Sequence, residues 1–256
     1  MQQTMSRGAT DGTEPGLSAN FLLLLLLVSG LGFCLGAGLV EGSGAAFAFV
    51  MAGWGLGLCL HEFGHALVAW RAGAAGSAAS GALGLDPLRY AHPVVTVVLP
   101  IVFTILGGLG FPGGAVPLDP PPRGRGQTVA VALAGPAVTL LGIVVLAMLY
   151  HLASVDSDTL RAVLAVSVLF QGMALVLSLV PIPGLDGYTA LRPWLSPTWQ
   201  ARGDTVARQA GFVLLGLFLV SGGFSRILFR LGLRLTMAAG IDPVDVIAGY
   251  RLIRLW

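Results

Sequence analysis

Lysine is absent from this chain of 256 residues, cysteine occurs twice, and charged residues make up only 10%. Each scarcity excludes something. All 14 basic residues are arginine and the net charge is only +2. No basic tract or polar face remains on which to hold a nucleic acid, which is therefore excluded as a partner. Cys34 and Cys59 both fall in apolar runs without C-x-x-C spacing. They read as small buried hydrophobes, not as a disulfide or a thiolate metal site. With 55% hydrophobic residues and a mean hydropathy of +0.86, the chain has more apolar surface than a soluble domain can bury. An all-α polytopic membrane protein, with the lipid bilayer as its partner, is expected.

Residues 1–19 are polar and rich in Gly, Ser and Thr, the composition of a disordered tail. The run from Asn20 to Val40 is about 20 residues, longer than a signal-peptide core, and reads as a retained first span. Glu41-Gly42-Ser43-Gly44 connects it to a second span ending at Trp70-Arg71, a pair suited to the membrane interface. Further spans are expected from about Thr128 to Tyr150, from Leu160 to Val180 and from about Ala210 to Phe224. Arg226, Arg230 and Arg234 then recur at four-residue spacing among Ile227, Leu228, Leu231 and Leu235, as in an amphipathic helix lying in the interface.

The second span contains His61-Glu62-Phe63-Gly64-His65. Histidines four positions apart share one helix face, so both imidazoles can reach one metal ion with Glu62 beside them. Catalytic zinc takes three protein ligands and a water, whose pKa it lowers to about 7; Glu62 would accept that water's proton. Ionisable groups in a spanning segment are costly and by default mark a functional site. At 1.5 Å rise per residue, the histidines lie roughly 7 to 14 Å inside the surface marked by Trp70.

A third ligand is expected from Pro181-Ile182-Pro183-Gly184-Leu185-Asp186-Gly187. Its prolines and glycines end the preceding span and leave irregular backbone at membrane depth, which is tolerated where it lines a cavity. Asp186, taken alone, reads as a turn aspartate; beside His61 and His65 it reads as a ligand. His92, next to Pro93 in a loop, and His151, at a segment end, have the placement of surface or interfacial residues, and Asp86 is set aside with them. Ala134-Gly135-Pro136-Ala137 is a small-residue stretch that lets helices approach closely, with Thr139 just after it.

These motifs resemble the site-2 protease family of intramembrane zinc metalloproteases. His61 through Ala69 matches its H-E-x-x-H-x-x-x-A helix, Gly135-Pro136 its Gly-Pro element, and Pro181 through Gly187 its P-x-P-x-L-D-G element. Leu85 to Pro93 is similar to the connecting loop of its compact bacterial members, which lack PDZ and CBS domains. The resemblance covers residues 44–193. It implies one Zn2+ per chain on His61, His65 and Asp186, Glu62 as general base, and a transmembrane protein substrate. Gly135, Pro136, Thr139 and Ser178 fall at its substrate-positioning places. The family usually carries Asn at the last two; both replacements still hydrogen-bond. The expected domains are the tail 1–19, a transmembrane metalloprotease domain 20–229 and an amphipathic interfacial tail 230–256.

A shared ion requires the second span and Leu160–Val180 to run in the same direction. Pro93 to Phe111 should then enter and leave on one face. Its β-branched runs, Val94 to Val98 and Ile101 to Ile105 around Pro100, suit a re-entrant, β-hairpin-like segment, giving five to six transmembrane helices in all. Its extended edge would pair with an unwound substrate strand. With that count, eight arginines fall on the site's side against six opposite, which places the active site nearer the cytoplasmic face of a bacterial plasma membrane. The alternatives are a catalytically inactive membrane scaffold of the same family and a zinc-binding or transport protein. The first is suggested only by Thr139 and Ser178, and the second lacks further ligands along a path.

Overall fold

A computed structural model of the protein describes residues 15–73, 80–86, 124–154, 157–210, 214, 216–218 and 221–254. Its helices are α1 (Ala19–Gly36), α2 (Ser43–Arg71), α3 (Ser80–Leu83), α4 (Arg125–Leu152), α5 (Asp158–Ser178), α6 (Asp186–Leu191), α7 (Pro197–Ala207), α8 (Gly222–Ala238) and α9 (Pro243–Leu252). Among the described residues four helices, α1, α2, α4 and α5, are long and apolar enough to cross a membrane. The chain is a multi-pass integral membrane protein.

The spanning helices differ in what covers them. In α5, 67% of the apolar stretch is buried, against 11% in α1, so α5 is the central helix. Val163, Ala165, Val166 and Val168 have no exposed surface, and Leu169, Phe170 and Met173 join them in the core. The outer faces of α1 (Leu23, Leu26, Phe33) and α4 (Leu141, Met148, Leu152) stay exposed. Such broad apolar faces suit hydrocarbon and not water.

Small residues set the closest approach. A Cβ on Gly64 of α2 would lie 2.9 Å from the Ala134 carbonyl oxygen of α4, so the backbones cross there with no side chain between them. α8 packs along α5 through Leu228, Gly232 and Thr236 and turns Arg226, Arg230 and Arg234 outward.

Two polar clusters fix the ends of the bundle. At one end, the Arg161 guanidinium donates to Tyr150 Oη (2.8 Å) and to Asp245 Oδ2 (3.2 Å). The Tyr150 hydroxyl donates to the same carboxylate at 2.5 Å, joining α4, α5 and α9. Ser157 Oγ donates to the Gly36 carbonyl and ties α1 to the start of α5. At the other end the Gly16 and Ser18 N–H groups donate to the Leu83 and Gly84 carbonyls, and Asn20 donates to Asp86 at 2.9 Å.

Two expectations are corrected. The described residues hold four spanning helices and not five to six, and no strand. The expected span from Ala210 to Phe224 is not one helix: Ser221 leaves helical geometry (φ −107°, ψ 85°) and its hydroxyl accepts the Phe224 N–H, so that α8 begins at Gly222. A serine cap ahead of Gly222-Gly223 outweighs continuous apolarity. The β-hairpin-like reading of 93–111 falls outside the described residues; β-propensity depends on context, and no described segment pairs as a strand.

Candidate metal centre

His61 and His65 lie on one face of α2 within its last three turns, because residues four apart stack along a helix. Asp186 reaches them from the start of α6. The chain leaves α5 at Ser178, passes Pro181 and Pro183, and turns back through Gly184, whose φ of +98° suits glycine. Gly187 has no room for a side chain: a Cβ there would lie 2.8 Å from the Val180 carbonyl oxygen. The irregular segment read from the sequence thus folds onto the end of α5 and aims Asp186 inward.

The three side chains converge. Asp186 Oδ2 lies 3.2 Å from His61 Nε2, Asp186 Oδ1 lies 3.3 Å from His65 Nε2, and the two Nε2 atoms are 3.1 Å apart. Ligand atoms about 2.0–2.1 Å from a tetrahedral zinc stand ~3.3 Å from one another; the three side chains offer ligand atoms within 4.8 Å of one another, close enough to share one metal. The far side of each imidazole is also held. His65 Nδ1 is 2.7 Å from the Val131 carbonyl, which can only accept, so Nδ1 carries a proton and Nε2 is the nitrogen that faces the other two side chains. His61 Nδ1 meets Thr139 Oγ1 at 2.8 Å.

α4 supplies both contacts. Pro136 has no N–H for the helical bond to Ala132, and Gly135 lets α4 lie directly against the imidazoles: a Cβ there would be 2.7 Å from His61 Nε2 and nearer still to His65 Nε2. The pairing of His65 with Val131 and of His61 with Thr139 shows that α4 runs opposite to α2. α5 delivers its C-terminal end to the same level as the C-terminal end of α2, so these two run in the same direction.

Glu62 is 5% exposed, and its Oε2 is buried without a hydrogen-bond partner. Glu62 also lines a pocket of ≈ 30 Å³ with His61, Thr139, Gln171 and Ser178, enough room for a water in the pocket. Ser178 Oγ donates to the Leu175 carbonyl at 3.1 Å. Beyond the spanning helices, the chain after α6 is braced by a two-pronged contact from Arg192 to Asp204 (2.8 and 2.6 Å), which holds the Asp204 carboxyl below the usual carboxylate range. Tyr188, two residues after Asp186 in α6, is buried against Gly203.

Among the residues set aside, Asp86 accepts from Asn20, and His151 contacts the Ala239 carbonyl at the opposite end of the bundle. His92 lies outside the described residues. Sequence reasoning missed the Val131 carbonyl, which no side-chain pattern announces, although Pro136 marks the disturbed helix. It also missed Gln171, an amide amid the apolar Leu160–Val180 run, where an uncharged polar residue is itself a signal.

No family model matches the chain, and no solved structure matches it. Curated relatives do. "Putative zinc metalloprotease Rip2" of Mycolicibacterium smegmatis is 42% identical over 214 residues, covering 82% of this chain and 81% of that one. The protein of the same name from Mycobacterium tuberculosis is 42% identical over 215 residues with the same coverage. "Putative zinc metalloprotease YwhC" of Bacillus subtilis is 25% identical over 174 residues, 63% of this chain and 75% of that one. A chain that shares 42% of its residues with Rip2 over four-fifths of both lengths, and folds a His-His-Asp cluster into a bundle of spanning helices, belongs to the Rip2 family of site-2-protease-like, intramembrane zinc metalloproteases.

Proposed function

We propose that this protein hydrolyses peptide bonds within or near the transmembrane segments of other membrane proteins, with one Zn2+ per chain held by His61, His65 and Asp186 and with Glu62 as general base. The reading is carried by one observation: two histidine Nε2 atoms 3.1 Å apart face the two oxygens of one carboxylate at 3.2 and 3.3 Å, and the Val131 carbonyl takes the Nδ1 side of His65, so that its Nε2 is turned toward the other two residues. A zinc ion there supplies Lewis acidity to the scissile carbonyl and lowers the pKa of a bound water to about 7. Glu62 Oε2, buried and unpartnered, takes the proton of the attacking water and passes it to the leaving amine. Thr139 and Val131 keep the two imidazoles oriented throughout.

The metal end of α2 and α5 lies near one membrane surface, where Trp70 and Arg71 end α2. Among the described residues His61, His65 and Asp186 form the one group of three side chains suited to a metal, which favours a hydrolase over a transport path. The test is zinc content together with cleavage of a transmembrane peptide in detergent. The native chain is expected to hold about one zinc and to cut, Glu62→Ala to keep zinc without cutting, and Asp186→Asn to bind zinc poorly. A zinc-loaded native chain that cuts no transmembrane peptide sinks the proposal.

A further inference from the structure

Beside the metal pocket lies a second, larger groove of ≈ 370 Å³ between α1, α2, α4 and α5, lined almost wholly by apolar side chains such as the buried Phe49 and the exposed Leu25, Leu141 and Val145. Trp54, Gly57, Thr139 and Gln171 line both spaces and form the junction between them. Thr139 is engaged with His61. Gln171 makes no such contact: the residue is 8% exposed, and its carboxamide, which is not among the fully buried polar groups left without a partner, faces the pocket space. It lies across Gly57, where a Cβ would collide with its carboxamide, one turn of α2 before His61. The Trp54 indole N–H is buried without an acceptor.

A carboxamide that faces a pocket without a side-chain partner keeps its donor and acceptor edges for whatever enters. Gln171 would have its partner when a peptide is present. A substrate segment unwound for cleavage exposes main-chain N–H and C=O groups that hydrocarbon cannot satisfy. A carboxamide offers one donor edge and one acceptor edge, the complement of one extended residue. Gln171 stands about 6 Å deeper in the membrane than His61, by one helical turn, so the residue it meets is on the membrane-deep side of the scissile bond.

We infer that Gln171 is a substrate-positioning residue: its carboxamide pairs with the main chain of the substrate on the membrane-deep side of the cleaved bond, between the apolar groove and Glu62, with the Trp54 indole N–H as a second donor. This rests on the proteolytic reading of the metal site.

The experiment compares native chain, Gln171→Met and Gln171→Asn, zinc-loaded in detergent. The substrates are a Leu/Ala-rich transmembrane peptide of about 20 residues and the same peptide truncated on the membrane-deep side of its cleavage site. Zinc content is expected to be equal in all three. On the full peptide kcat/KM falls about three- to tenfold in Gln171→Met, the range for one hydrogen bond, and Gln171→Asn recovers part of it. On the truncated peptide Gln171→Met and native are equal. Native rates for Gln171→Met on the full peptide, an equal loss on both peptides, or a loss of zinc would each overturn the inference and leave Gln171 a packing residue. If the zinc-loaded native chain cuts neither peptide, the proteolytic reading has failed. Gln171 is then decided by peptide Kd in the Glu62→Gln background: a three- to tenfold weakening confined to the full peptide supports it, and an unchanged Kd overturns it.

Discussion

Adding a single methyl group at Gly135 tests the site most sharply, because it touches both imidazoles and leaves every proposed ligand in place. In Gly135→Ala the new Cβ would lie 2.7 Å from His61 Nε2, where contacts of 3.4 Å or more are ordinary, and closer still to His65 Nε2. The His61 ring alone must therefore retreat by roughly 0.7 Å, while metal–ligand bonds tolerate about ±0.2 Å. α4 cannot yield instead, since Gly64 already has the Ala134 carbonyl against it. Overpacking of this kind costs about 1–3 kcal/mol. Here the strain falls on the ligand atoms, so zinc affinity is expected to drop by about 10- to 100-fold, the range seen when ligand orientation is disturbed, with cleavage lost in parallel. The assay is zinc retention against a graded chelator series, with thermal unfolding of the zinc-free protein as the control for folding. A Gly135→Ala protein that retains zinc as the native chain does would refute the argument that α4 presses directly on the ligands.

Two further outcomes follow from contacts around the centre. Thr139→Val removes the partner of His61 Nδ1 while keeping side-chain volume. It should weaken zinc binding or activity by about 10- to 100-fold, read by the same chelator series, and an unchanged variant would show that Thr139 does not orient His61. Asp204 has its carboxyl held below the usual range by Arg192, so the pair stabilises the fold above the ordinary carboxylate pKa and the gain is lost as pH falls through the depressed value. Both side chains are more than a third exposed, which limits the effect to about 0–1 kcal/mol. Asp204→Asn should lower the unfolding temperature slightly at pH 7 and not at pH 2; a pH-independent loss would contradict the ion-pair account.

His61, Glu62 and His65 were legible because helix periodicity converts a spacing of four into a shared face. Asp186 was legible because prolines and glycines announce where a span must end. What surrounds them was less so. The Val131 carbonyl is backbone, and its contact with His65 exists only because α4 crosses α2 at Gly64 and Gly135, a relation between helices that neither helix states alone. Gln171 carries its signal in its own run, yet its position across Gly57 depends on how α5 packs against α2. The count of spans failed for a local reason: Ala210 to Phe224 is apolar throughout, but apolarity fixes where a segment is comfortable and not where its helix starts, and Ser221 starts one inside the run.

The cluster of Tyr150, Arg161 and Asp245 at the end of the bundle away from the metal has a mechanical consequence. It acts as a rivet, so any spreading of the helices is a rotation about that end. Val131 lies roughly 28 Å along α4 from Tyr150, and a rotation of α4 by about 5° would carry it some ~2.5 Å sideways, enough to part it from His65. Prising α2 from α4 would therefore dismantle the orientation of the ligands that the substrate is meant to reach. The α2–α4 pair has to travel as one rigid jaw, with both imidazoles carried along on their α4 partners.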